Sequence, residues 1–197
     1  MRNPTVKRIV QLGLLTAISV VLVYLVRFPI FPSAAYLEYD MADVPILIGG
    51  FLFGPWYGLL LTAAVSLLQW LLVSQSSGWV GCLMHFFATG SSVLVSASLY
   101  RKNRTLHGAI TAMLLGGLVH VLMMIPLNLI FTVHFNGAPM EMVLAMLPTV
   151  IIPFNLIKVS ANSLMTFLLY KRVAKILRWE LPEHGKKAKK ALEDSQI

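Results

Sequence analysis

The sequence predicts an all-α membrane protein, a bundle of six transmembrane helices with both termini on the cytoplasmic side. Three observations carry this prediction. Hydrophobic residues make up 57% of the 197-residue chain and charged residues only 12%, with a mean hydropathy of +0.77; ordinary soluble domains carry about 45–50% apolar and about 25% charged residues. Apolar runs recur at close to the ~20 residues that a helix needs to cross a bilayer. Lys and Arg collect at alternate ends of those runs, as they do in cytoplasmic loops. The net charge of +8 and the pI near 9.8 suggest nucleic acid at first sight. Because the cations sit beside apolar spans, membrane orientation accounts for them and nucleic-acid binding is set aside.

The first span covers residues 7–26, after Arg2, Lys7 and Arg8. This start resembles a signal peptide, but it has no clear small-x-small cleavage site and many spans follow, so an uncleaved helix is expected. Gly13 and Ala17 form a small-xxx-small pair, the spacing that admits a close helix neighbour. That neighbour is either another helix of the same chain or a separate membrane subunit. Next comes RFPIFPSAAYLEYDMAD, residues 27–43, where Pro29 and Pro32 favour extended backbone and Glu38, Asp40 and Asp43 supply three carboxylates. So apolar a loop is either an interfacial aromatic belt or a lid over a ligand cavity.

Asp43 is placed to cap the second helix, with Pro45 in its first turn. This helix ends at Gly54-Pro55, after about a dozen residues or ~18 Å, too short to cross ~30 Å of hydrocarbon upright. The third span, residues 57–73, carries Gln69 and Trp70 near its far end, and a polar SQSSG turn follows. The fourth, 79–100, contains His85 and the small-residue run ATGSSVLVSAS, and RKNR closes it. The fifth, 108–131, carries His120, Pro126 and Asn128. After the loop TVHFNGAPM, the sixth element runs over 141–170 and is expected to break at Pro148. Residues 1–178 thus form the membrane domain, and 179–197 a basic cytoplasmic tail expected to lack fixed structure. With both ends inside, Arg2, Lys7, Arg8, RKNR and the tail lysines all fall on the cytoplasmic side, which supports an even number of spans.

The most informative stretch is TVIIPFNLIKVSAN in the sixth element. Asn155, Lys158 and Asn162 lie at i, i+3 and i+7, so a helix aligns them in one stripe. An ammonium at mid-membrane costs roughly 2.5–3.5 kcal/mol, so Lys158 needs a partner or a function. Snorkelling is the plain alternative, but about twelve residues at about 1.5 Å each separate Lys158 from Lys171, the first cation of the tail.

Other chemistries find little support. Cys82 is the only cysteine, which excludes an intrachain disulfide, and no Cys/His cluster has zinc spacing. No P-loop is present. His85, His120 and Ser91 suggest an intramembrane hydrolase only in composition, for there is no G-x-S-x-G elbow. A lone intramembrane cation does not make a channel filter. One cation, several amides, many aromatics and a loop able to close suit a planar molecule with polar edges.

LEYDMADVPILIGGFLFGPWYG and IIPFNLIKVS resemble, in order and separation, the L-x-Y-D-x-x-D-(V/I)-P and P-F-N-x-(I/V)-K segments of the riboflavin-specific S components of energy-coupling factor (ECF) transporters. The similarity extends from about Gln11 to about Leu177. It implies a six-helix protein that is not an enzyme but takes a vitamin from outside, in the bacterial cytoplasmic membrane, and delivers it through a transmembrane T component and two ATPases. By motif position it implies ligand contacts from Asn155, Lys158 and Asn128. The loop around Leu37, Tyr39 and Asp40 would close over the ligand, and Gly13 and Ala17 would meet the T component. The chain has Gln69-Trp70 where many relatives have Lys-Asn, His85 where they have asparagine, and His134 where proline is usual. Gln69 and His85 are therefore candidate ligand contacts, and the ligand is riboflavin, its phosphate FMN, or another vitamin or heterocycle.

Overall fold

A computed structural model describes residues 4–34, 37–73 and 78–179. The expected basic tail lies outside the described residues, as does most of the SQSSG turn. Helix α1 spans Pro4–Leu25, α2 Asp43–Phe53, α3 Pro55–Leu72, α4 Gly78–Lys102 and α5 Leu106–Leu127. A short helix α6, Met140–Met146, leads into the long α7, Ile152–Trp179. Five stretches, including α5 with its extension to Thr132 and the run from Met140 to Val173, are long and apolar enough to span a membrane; α2 is the sixth, shorter helix.

At eleven residues, α2 reaches only ~16 Å. Nine of those residues are buried, because α1, α3, α4 and α7 pack around it. A helix apolar on all sides suits such a central position, since no face of it meets water or lipid. Its sharp exit uses Gly54 at φ +107°, a conformation that side-chain-bearing residues rarely adopt, with Pro55 opening α3. Leu12, Leu15, Ile46, Leu61 and Val65 form the core between α1, α2 and α3.

Asp43 does not cap α2, contrary to expectation. It is the helix's first residue, and its carboxylate turns inward to other helices. Asp40 arranges the entry instead, its Oδ1 accepting from the Ala42 amide at 3.0 Å. The break expected at Pro148 is also absent. A π-helical turn, Leu147–Ile151, joins α6 to α7 and contains Pro148. A second π turn, Asn128–Thr132, extends α5 just beyond Pro126. Proline cannot donate to the carbonyl four residues back, and widening the helix lets the chain pass it without a sharp break.

The 27–43 loop folds into a small hairpin. Strand β1, Arg27–Pro29, pairs antiparallel with β2, Glu38–Asp40, in the register Arg27 to Asp40, Phe28 to Tyr39 and Pro29 to Glu38. Arg27 ties it together through an ion pair with Glu38, and to the end of α3 through the Val73 carbonyl at 3.1 Å. At the opposite end of the bundle, Arg8 donates to the Tyr57 hydroxyl at 2.9 Å and lies over its ring.

Candidate binding site

Beneath the hairpin lies a cavity of about 550 Å³, within the ~300–1,000 Å³ usual for small-molecule sites. Leu37, Glu38 and Asp40 roof it; Gln69, His85, Asn128, Asn155 and Lys158 supply polar walls; Met84, Met124, Met142, Met146 and Phe154 supply apolar ones. The two π turns flank this space. Asn128, which opens one π turn, and Asn155, in the first turn of α7 after the other, are each 1% exposed, and each amide donates to the carbonyl one turn back, Met124 and Ile151, at 2.8 Å. Those bonds fix both carboxamides against the helix while leaving them on the cavity wall.

Seven of the eight residues expected to contact ligand therefore line one space: Leu37, Asp40, Gln69, His85, Asn128, Asn155 and Lys158. Tyr39 is the exception. Its ring packs on Phe28 with centroids 5.3 Å apart, and its hydroxyl donates to Asn162 Oδ1 at 2.9 Å, so it secures the roof rather than lining the cavity. Burial, with Asp40 beside it, pushes the Tyr39 phenol above the ordinary tyrosine range.

The partner that Lys158 needs is Asp40, whose Oδ2 accepts from Nζ at 2.8 Å with both side chains almost fully buried. The expected stripe on α7 holds, but its lower two members grip protein. Asn162 donates to the Asp40 carbonyl and to Asp43 Oδ2, each at 3.1 Å, while accepting from Tyr39. One turn of α7 thus clamps the dipeptide Tyr39-Asp40, and Asn155, a turn further out, faces the cavity.

Sequence reasoning missed the second half of this network. Asp43 Oδ1 accepts from Thr89 Oγ1 at 3.0 Å and from His85 Nε2 at 3.2 Å, and His85 Nδ1 lies 2.7 Å from Ser66 Oγ. Helices α4 and α7 thus meet on one carboxylate of α2, and α3 joins them through Ser66 and His85. Because Nε2 must donate to a carboxylate, Nδ1 either accepts from Ser66 or carries a second proton. The order Ser66, His85, Asp43 has the look of a hydrolytic triad, yet Ser66 is buried inside α3 and within reach of the Thr62 carbonyl at 2.7 Å. Ser91, the serine considered from the sequence, donates instead to the Ala88 carbonyl. Among the described residues no His, Cys, Asp and Glu cluster is arranged for a metal ion.

One polar atom at the site lacks a partner. Gln69 Oε1 is buried and accepts no hydrogen bond. A buried acceptor left unpaired costs ~1–3 kcal/mol, so a ligand donor would relieve a standing penalty there.

On the far side of the molecule, Gly13 and Ala17 point outward. No atom lies within 4 Å of where a Gly13 side chain would begin. Val10, Leu14, Ile18 and Val21 widen the same helix into an exposed apolar face, so the small pair does not serve packing within this chain.

The model for the substrate-specific component of ECF transporters matches residues 7–170. The riboflavin transporter RibU of Staphylococcus aureus (strain TCH60) is 32% identical over 178 residues, covering 87% of this chain and 93% of that protein. The riboflavin transporter FmnP of Bacillus subtilis (strain 168) is 30% identical over 161 residues, covering 78% and 84%. A solved structure described as the S component of a bacterial ECF transporter superposes with a TM-score of 0.75 at 31% identity, covering 88% of this chain and 98% of that one. Clamped hairpin, a cavity with polar and apolar walls, and the helix bundle together agree with these matches: the chain belongs to the substrate-specific S components of ECF transporters, multi-pass membrane proteins that bind a transported molecule and are not enzymes.

Proposed function

We propose that this subunit captures riboflavin from outside in the 550 Å³ cavity and releases it inward as part of an ATP-driven complex with a transmembrane T component and two ATPases. The observation that carries the reading is the pattern of donors and acceptors on the cavity wall. The pyrimidine edge of a flavin presents carbonyl, N–H and carbonyl in sequence, which calls for donor, acceptor and donor. Lys158 and the asparagine amides supply donors, and the unpaired Gln69 Oε1 supplies the acceptor. The methionines and Phe154 offer apolar cover for the ring system.

The same wall favours riboflavin over FMN. Lys158 is the only Lys or Arg among the described residues lining the cavity, and Asp40 already neutralises it. A phosphate would find no unpaired cation and would approach two carboxylates on the cavity lining, Glu38 and Asp40. The test is titration of the purified full chain with riboflavin and with FMN, read by quenching of flavin fluorescence. Riboflavin should bind more tightly, and Asn155→Ala and Gln69→Leu should each weaken it by about tenfold. Unchanged affinity in both variants refutes the site. Tighter binding of FMN, or of another vitamin identified by mass spectrometry, refutes the ligand.

A further inference from the structure

A second cavity, of about 260 Å³, opens at the opposite end of the bundle, between α2, α4, α5 and α7. Its wall is aromatic: Phe51 packs against Tyr100 in a tilted pair with centroids 4.6 Å apart and meets Tyr170 edge-on at 5.9 Å, and Phe167 lines the same space. At its mouth stand Arg104 and Lys171, both exposed, with no carboxylate partner among the described residues. Thr166, fully buried, lines it, and Thr166 Oγ1 has no hydrogen-bond partner. The cations belong to the cytoplasmic charge groups by which the chain is oriented, so this mouth lies at the cytoplasmic membrane surface.

We propose that this cavity is a site for an anionic phospholipid of the inner leaflet, with the headgroup phosphate between Arg104 and Lys171 and the lipid's glycerol and ester region reaching the Thr166 hydroxyl. Basic pockets between helices on the cytoplasmic side suit anionic headgroups, and each nearby cation strengthens such binding several-fold. Arg104 adds a planar fork that can grip two phosphate oxygens at once. The aromatic wall fits the amphiphilic part of the lipid, and the unpaired Thr166 hydroxyl favours a molecule that carries polar atoms past the rim.

The test uses the full chain in nanodiscs of phosphatidylcholine doped with phosphatidylglycerol, with retained lipid counted by native mass spectrometry. Wild type should retain phosphatidylglycerol in preference to phosphatidylcholine. Arg104→Gln combined with Lys171→Gln should lower that preference by about tenfold or more. Ala109→Trp, which fills the cavity without touching a charge, should lower it comparably, with the elution profile and thermal midpoint confirming a folded protein. If Ala109→Trp does not fold, Thr166→Val replaces it and should lower retention severalfold. Neutralising Arg101 and Lys102 to Gln should change little. Equal retention of the two lipids overturns the proposal, as does equal loss from the Arg101 and Lys102 pair. Displacement of bound lipid by soluble glycerol phosphate would mean a site for a free phosphate instead.

Discussion

Replacing Asp40 by Asn tests the central feature of the site, the ion pair that holds the hairpin to α7. The substitution keeps size and shape. It also keeps one side-chain oxygen for the Ala42 amide and the main-chain carbonyl for Asn162. What it removes is the charge at Oδ2, 2.8 Å from the ammonium of Lys158, a residue only 7% exposed. Breaking a buried pair by neutralising one member costs about 3–5 kcal/mol, because the survivor stays buried without compensation. Asp43 also acts on Lys158 and recovers part of this, so about 3 kcal/mol is expected. In a chain of this size each kcal/mol moves the thermal midpoint by about 2–4 °C, which gives a fall of roughly 6–12 °C. Lys158→Met should cost a similar amount, and the double variant should cost clearly less than the sum, with a coupling of about 2 kcal/mol. The assay is thermal unfolding of the four proteins in one detergent. Additivity within about 0.5 kcal/mol would show that the two charges do not stabilise each other, and the clamp would lose its basis.

Other outcomes follow from the same contacts. Tyr39→Phe removes only the hydroxyl that donates to Asn162, a bond worth ~0.5–1.5 kcal/mol, so riboflavin should dissociate about three- to tenfold faster in stopped-flow measurements with little change in association. Asp43→Ala removes a partner from Thr89, His85 and Asn162 at once and should destabilise the chain by about 3 kcal/mol, lowering its yield of folded protein in detergent. Gly13→Leu or Ala17→Leu, on an exposed face, should leave flavin binding intact while reducing uptake in cells that also express the coupling subunits; loss of binding would place that face inside the fold.

Much of this architecture was readable from local sequence. Span lengths, the distribution of cations and the Gly54-Pro55 turn follow from residues near one another in the chain, and the spacing of Asn155, Lys158 and Asn162 placed them on one helix face. The network around Asp43 was not readable, because its partners come from elsewhere: Thr89 lies 46 positions away, Asn162 119 and His85 42. A carboxylate at a helix start looks locally like a cap, and only the packing of α2 among four neighbours turns it inward. The prolines signalled irregular helix near the cavity, but whether a proline breaks a helix or widens it depends on what surrounds it. Pro148 sits in a π turn packed through Leu147 and Ile151 against Val143 and Leu37.

The ion pair changes what a ligand must do to stay bound. An unpaired Lys158 would have made the ligand its sole partner; with Asp40 in place, the ammonium is satisfied by the hairpin. A ligand favours the closed arrangement only through contacts that the open one lacks. Leu37, Glu38 and Asp40 line the cavity from the hairpin itself, so a hairpin that closed on a ligand would add contacts on the ligand's outer side. Any opening of the hairpin would have to separate Asp40 from Lys158, free Asn162 from the Asp40 carbonyl and break the Tyr39 hydroxyl bond, three losses on adjacent turns of one helix. Water can rehydrate the hairpin groups as they leave, but Lys158 remains in the bundle, where hydration is poorer. The cost of such an opening would therefore fall mainly on the lysine. A ligand carbonyl that accepts a second hydrogen bond from its Nζ would hold the cation without displacing Asp40.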